Sequence, residues 1–70
     1  MPYVSVRLAG DPPSAEQKAE VIAGITDVLV KVLGKNPATT VVVIDSVSTD
    51  DWGIGGETVT ARRKKLEQNT

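Results

Sequence analysis

The chain has 70 residues, a net charge of −1, and neither cysteine nor histidine. These values exclude a disulfide-stabilised domain and remove the usual ligands of transition-metal sites, so we expect no metal site. The charge balance also argues against nucleic-acid binding, which needs a clustered cationic surface.

The short length indicates one domain over residues 1–70, with a flexible tail from about residue 65. Domains below roughly 70 to 80 residues usually gain stability from disulfides, a metal or oligomerisation. Of these three sources of stability, only oligomerisation is compatible with this composition. The sequence has no recognisable secretory leader and no apolar run of about 20 residues, so we expect a cytoplasmic protein without membrane contact.

The first predicted element is a strand over residues 3–8. Val4, Val6 and Leu8 fall on one face and alternate with polar or aromatic residues, which is the period of a β-strand. Two consecutive prolines within residues 10–13 lack backbone donors and predict a turn after this strand.

A long helix is predicted next. Ser14 and Gln17 have the spacing of a capping box, and Gly34 suits the left-handed position just past a helix end. The predicted buried stripe follows spacings of three and four residues. It consists of Ile22, Ile25, Leu29, Val32 and Leu33.

Residues 39–44 form a continuous β-branched run, which predicts a strand covered on both faces. A helix that connects two strands is a crossover, so the strands should be parallel. One helix covers only one face of the sheet, and we therefore expect a partner subunit to cover the other.

The glycine-rich segment 52–57 predicts a tight hairpin or a loop that approaches another chain. Its glycine spacing differs from that of a dinucleotide fingerprint, and it lacks the Lys-Ser/Thr of a phosphate-binding loop. Together the elements predict an α+β subunit of β-α-β type, with a parallel strand pair, one long helix and a C-terminal hairpin.

Pro2 is the candidate catalytic residue. Removal of Met1, which is usual before a small residue, would leave a secondary amine at the start of the first strand. An internal proline nitrogen is an amide with negligible basicity, whereas a free α-amino group titrates at about 7.7 to 8.0 and responds to its surroundings. The hypothesis is that Pro2 takes and returns protons; the alternative is that it only starts a strand.

Met1-Pro2, the β-α-β unit, Glu16-Gln17 near the helix start and the segment 52–57 occur in an order that resembles the small subunits of the 4-oxalocrotonate tautomerase family. The resemblance spans nearly the whole chain. It implies a cofactor-free isomerase that acts on a small molecule. It also implies a homohexamer built as a trimer of dimers, with sites at subunit interfaces.

The resemblance implies roles for individual residues as well. Pro2 would be general base and acid in keto-enol tautomerisation, and Trp52 would form the aromatic wall of the pocket. The backbone near Leu8 and Ala9 would face the substrate. Trp52 has the alternative role of an apolar plug between subunits, and Glu57 is predicted to have a structural role.

The chain also departs from the family pattern. The founding enzyme binds a dicarboxylate with two arginines, one in the loop after the first strand and one in the second strand. Asp11 and Val42 stand at the matching positions, and neither can form the bidentate hydrogen bonds of a carboxylate clamp. Arg63 is the candidate replacement.

Three interpretations remain open. The first is a homo-oligomeric tautomerase for a less charged, monocarboxylic enol, with Arg63 as the cation. The second is one half of a hetero-oligomeric tautomerase or dehalogenase whose partner chain brings the arginines. The third is a non-catalytic relative that keeps only the fold.

Overall fold

The structure, a computed structural model, describes residues 1–68, with side chains described as far as Glu67. Its elements in chain order are β1 (Tyr3–Ala9), α1 (Ala15–Leu33), a 3-10 turn (Pro37–Thr39), β2 (Val41–Val47), β3 (Gly53–Ile54), β4 (Glu57–Thr58) and α2 (Val59–Gln68). The predicted flexible tail lies partly outside the described residues, and its residues 65–68 are helical. Neither α1 nor the described part of α2 is long and apolar enough to cross a membrane.

The chain forms two compact units. The first contains residues 1–7 and 13–45, and the second contains residues 8–12 and 46–68. None of the side chains described is buried, as expected for a domain too small to enclose a core of its own.

The first unit contains most of the parallel pair β1 and β2, which α1 connects, as the sequence predicts. The backbone N–H of Val41 donates to the carbonyl of Pro2 at 3.0 Å, which fixes the start of both strands. One face of the pair carries half-buried apolar side chains, namely Val4, Val6, Val42 and Ile44. The opposite face is open in this chain: Tyr3 is 66% exposed, and Val41 and Val43 are about equally open at 41% and 40%.

The capping box of α1 is confirmed. The Ser14 hydroxyl accepts from the Gln17 N–H at 3.1 Å, and the Gln17 side chain accepts from the Ser14 N–H at 2.9 Å. Gly34 ends the helix with φ 66°, and its N–H donates to the carbonyl of Val30. Both devices satisfy backbone groups that a helix end leaves without partners.

The predicted buried stripe of α1 is partly wrong. Ile25 and Leu29 are half-buried, but Ile22 is 38% exposed, and Val32 and Leu33 are 73% and 59% exposed. The half-buried face instead includes Thr26 and Val30. The sequence pattern identified the correct helix, yet its stripe extends too far at both ends.

The second unit contains the predicted C-terminal hairpin. Strands β3 and β4 pair antiparallel, with Gly53 opposite Thr58 and Ile54 opposite Glu57. Gly55 and Gly56 form the two-residue turn with φ values of 60° and 84°, the positive pair that a type I′ turn requires.

Helix α2 follows the hairpin and is absent from the sequence-based prediction, which assigned no helix or strand after the hairpin. The hydroxyl of Thr58 accepts from the N–H of Ala61 at 3.0 Å and so caps the helix start. Only its first three residues, 59–61, are half-buried, and residues 62–67 are exposed. The polar composition of the exposed part explains why no periodic apolar signal indicates a helix.

Candidate active site

Pro2 lies immediately before β1 in the first unit. It is half-buried, and its carbonyl is held by the hydrogen bond from Val41, whereas Met1 is 95% exposed. While Met1 is attached, the Pro2 nitrogen is an amide and has no proton to exchange. In a chain without Met1, the same anchored residue carries a free secondary amine.

The end of β1 belongs to the second unit and contains two of the predicted substrate-facing residues. Leu8 is 37% exposed and Ala9 is half-buried. Gly10 follows with φ 102°, and its N–H donates to the carbonyl of Val47 at 3.0 Å. The positive φ favours glycine, so no side chain covers the backbone directly after Ala9.

Arg63 lies beside this glycine. A Cβ atom built on Gly10 would be 3.8 Å from Nη2 and 3.9 Å from Nη1 of the guanidinium. Arg63 is exposed, and no carboxylate among the side chains described forms an ion pair with it. The structure therefore brings a guanidinium that belongs to no ion pair among the described side chains to the loop after β1, the loop in which Asp11 stands where a family arginine is expected.

Trp52 also lies in the second unit. It is half-buried, and its carbonyl accepts from the N–H of Val59 at 2.9 Å. This hydrogen bond ties the start of the hairpin to the first residue of α2. The described geometry thus fixes the backbone at Trp52, and its role as a pocket wall stays a prediction.

Three polar residues that the sequence analysis did not select form a hydrogen-bonded group near Arg63. The hydroxyls of Thr49 and Thr60 are 2.6 Å apart, and the Thr60 hydroxyl donates to Oδ1 of Asp50 at 2.6 Å. The sequence signal that could have identified them is Thr58 as a helix cap, because a helix that it caps has Thr60 in its first turn.

A surface cavity of about 310 Å³ lies between the hairpin and α2, lined by Glu57, Arg62, Lys65 and Leu66. Lys65 forms a salt bridge with Glu57 at 2.5 Å. The hydrogen bond from Lys65, its charge and the charge of Arg62 lower the pKa of Glu57. The ion pair thus lines the cavity, and Glu57 has a partner within its own chain.

The ion pair between Glu57 and Lys65 predicts that the stability of the folded state depends on pH. Because the folded state lowers the pKa of Glu57, the pair stabilises the second unit above the ordinary carboxyl pKa, and this stabilisation is lost as the pH falls through the lowered pKa. We expect Lys65→Met to return the pKa of Glu57 toward its ordinary value in an NMR titration. Lys64→Met is the matched control, and an equal shift in both variants would contradict the assignment.

Comparison with known proteins identifies relatives over nearly the whole chain. Residues 2–62 match the family model described as tautomerase enzyme. The chain is 62% identical over 65 residues to a probable tautomerase K2 of Dickeya dadantii (strain 3937), which covers 93% of this chain and 97% of the relative.

Solved structures give the same result. The crystal structure of DmpI from Helicobacter pylori is 42% identical, with a TM-score of 0.82 over 90% of this chain and 97% of the other. A heterohexamer 4-oxalocrotonate tautomerase from Chloroflexus aurantiacus shares the fold at 22% identity, with a TM-score of 0.75 over 86% of this chain and 95% of the other. The family match, the relative and the shared fold together show that this chain belongs to the 4-oxalocrotonate tautomerase family of isomerase enzymes.

Proposed function

We propose that the chain without Met1 is a cofactor-free tautomerase that converts a small 2-hydroxy-enoate into its 2-oxo acid, with Pro2 as general base and acid. The observation that carries the proposal is the hydrogen bond from Val41 to the Pro2 carbonyl at 3.0 Å. It fixes a residue whose nitrogen becomes a free amine when Met1 is removed. Family membership supports the reaction class.

The proton transfer balances without any further reactant. The Pro2 amine takes the proton of the 2-hydroxyl group, and the oxygen electrons form the carbonyl bond. The carbon-carbon double bond opens, and a carbon further along the conjugated system takes the proton back from the Pro2 ammonium. Atoms and electrons are conserved, so the reaction is an isomerisation and needs no cofactor.

Arg63 binds the substrate carboxylate in this proposal. Its guanidinium lies beside Gly10 and has no carboxylate partner among the side chains described. Guanidinium groups bind carboxylates through two parallel charged hydrogen bonds. Asp11 and Val42 stand where the family dicarboxylate site would need arginines, so one cation favours a monocarboxylate. Leu8, Ala9 and Trp52 complete the proposed binding site.

The proposal includes assembly into a homohexamer. No side chain described is buried, and the face that carries Tyr3, Val41 and Val43 is open. Burial of apolar surface stabilises association, and an uncovered sheet face provides that surface. A cytoplasmic location stays a prediction.

A hetero-oligomer is the second candidate, in which this chain brings Pro2 and a homologous partner brings arginines. The absence of arginine at Asp11 and Val42 favours it. The Chloroflexus aurantiacus relative shows that a heterohexamer occurs on this fold.

The experiment starts with the protein purified alone. Its intact mass reports whether Met1 is absent, and its native mass reports the oligomer. We expect the Met-free protein to speed the loss of the enol absorbance of phenylenolpyruvate. A Met-free homo-oligomer that leaves this rate at the buffer value would contradict the homo-oligomeric tautomerase.

A further inference from the structure

Helix α2 carries Arg63 but has few attachments of its own. It has ten residues, and isolated helices shorter than about 12 to 15 residues are marginal in water. Beyond residue 61 its described side chains are exposed. Apart from the salt bridge between Lys65 and Glu57, the position of Arg63 therefore depends on how the first turn of the helix is held.

Thr60 holds that turn through a directed chain of hydrogen bonds. A threonine hydroxyl has one proton to donate. Since the Thr60 hydroxyl donates to Oδ1 of Asp50 at 2.6 Å, the Thr49 hydroxyl, 2.6 Å away, must be the donor to Thr60. The Thr60 N–H also donates to the Thr49 carbonyl at 3.3 Å. Both the backbone and the side chain of Thr60 are thus bonded to the loop 49–50.

The same loop lies beside Gly10, as the Arg63 guanidinium does. A Cβ atom built on Gly10 would be 3.9 Å from Cγ2 of Thr49, and 3.8 Å and 3.9 Å from Nη2 and Nη1 of Arg63. Thr49 therefore uses its hydroxyl to bond Thr60 and places its methyl group beside Gly10. Thr60 and Arg63 are three residues apart, which puts them on one side of α2.

We infer that Thr60 is a positioning residue: its hydrogen bonds to Thr49 and Asp50 hold α2 so that the Arg63 guanidinium stays beside Gly10, ready to bind a carboxylate. The inference rests on the proposed role of Arg63. A fixed helix start lowers the entropy cost of ordering the backbone that carries Arg63 when a carboxylate binds.

The test uses Thr60→Val, which replaces the hydroxyl with a methyl group of similar shape, and Thr60→Ser, which keeps the hydroxyl. Calorimetry gives the Kd of the full chain for 3-phenylpropionate and for the neutral 3-phenylpropionamide. Thr60→Val removes both hydrogen bonds of the Thr60 hydroxyl, and we expect it to weaken carboxylate binding about three- to tenfold, the size of a typical net hydrogen-bond contribution, with amide binding unchanged. Thr60→Ser should bind as the unmodified chain does.

Asp50→Ala tests the chain of hydrogen bonds from its other end and should weaken only carboxylate binding. In turnover of a carboxylate enol, Thr60→Val should raise KM and leave kcat within about twofold. Equal losses for the carboxylate and the amide, or a Thr60→Ser variant as weak as Thr60→Val, would overturn the inference.

The binding measurements test the role of Thr60 independently of the proposed catalytic role of Pro2. A Met-free chain without turnover would contradict the role of Pro2, yet its Kd values would still decide the role of Thr60. Conversely, both the unmodified chain and Thr60→Val could show full turnover but bind the carboxylate no better than the amide. That result would contradict the positioning role of Thr60 and leave the catalytic role of Pro2 supported.

Discussion

A chain in which Met1 is retained is expected to lose about 10²- to 10⁴-fold in kcat, the usual contribution of a positioned proton donor and acceptor. The reason is that the Pro2 nitrogen is then an amide without basicity. A lysine inserted between Met1 and Pro2 gives this chain, since the initiator is not removed before a large residue. The measurement is the rate of enol loss for chains whose intact masses have been verified.

Pro2→Ala is the matched control for the blocked chain. Alanine is small, so Met1 is still removed, and the product keeps a primary amine at the same place. We expect its rate to lie between that of the blocked chain and that of the unmodified one. Equal rates for all three proteins would eliminate the terminal nitrogen as the catalyst.

The catalytic role of Pro2 stays a prediction, and its chemical basis depends only on covalent structure. Which nitrogen is an amide and which is an amine follows from the Met1-Pro2 sequence alone. Its attachment through the hydrogen bond from Val41 depends on the pairing of β1 with β2, which the crossover rule also predicts.

The strand, helix and second strand are similarly readable from local patterns. Ser14 and Gln17 form the capping box that their spacing predicts, and Gly34 adopts the left-handed cap. These devices act within a few residues, so no tertiary information is needed. The predicted packed face of α1 is wrong at Val32, because burial depends on which residues lie opposite the helix, and the periodicity of the sequence carries no information about them.

Helix α2 is the element that the sequence pattern did not predict. It is exposed after its first turn and has no apolar stripe, so its start is set by Thr58 and by the bonds of Thr60 to Thr49 and Asp50. The contact between Arg63 and Gly10 depends on this helix. The sequence could therefore suggest Arg63 as a cation but not where it would lie.

Arg63→Ala is expected to raise KM for a carboxylate enol about 10- to 100-fold, with a smaller change in kcat. A hydrogen bond to a charged group contributes about 1.5 to 3 kcal/mol, and each 1.4 kcal/mol is a factor of ten in affinity. The guanidinium beside Gly10 has no other carboxylate partner among the side chains described. We therefore expect its loss to weaken substrate binding without breaking an ion pair among the described side chains.

Arg62→Ala is the control that the helix offers. Arg62 is the neighbouring residue and has the same charge, but it lines the cavity of Glu57 and Lys65. Adjacent helix residues point to different sides, so we expect KM to change less than about twofold. Arg63→Lys should give an intermediate KM, because lysine keeps the charge but cannot form the bidentate pair. Equal KM values for Arg62→Ala and Arg63→Ala would show that only overall charge matters, and the carboxylate site would then have to be sought outside α2.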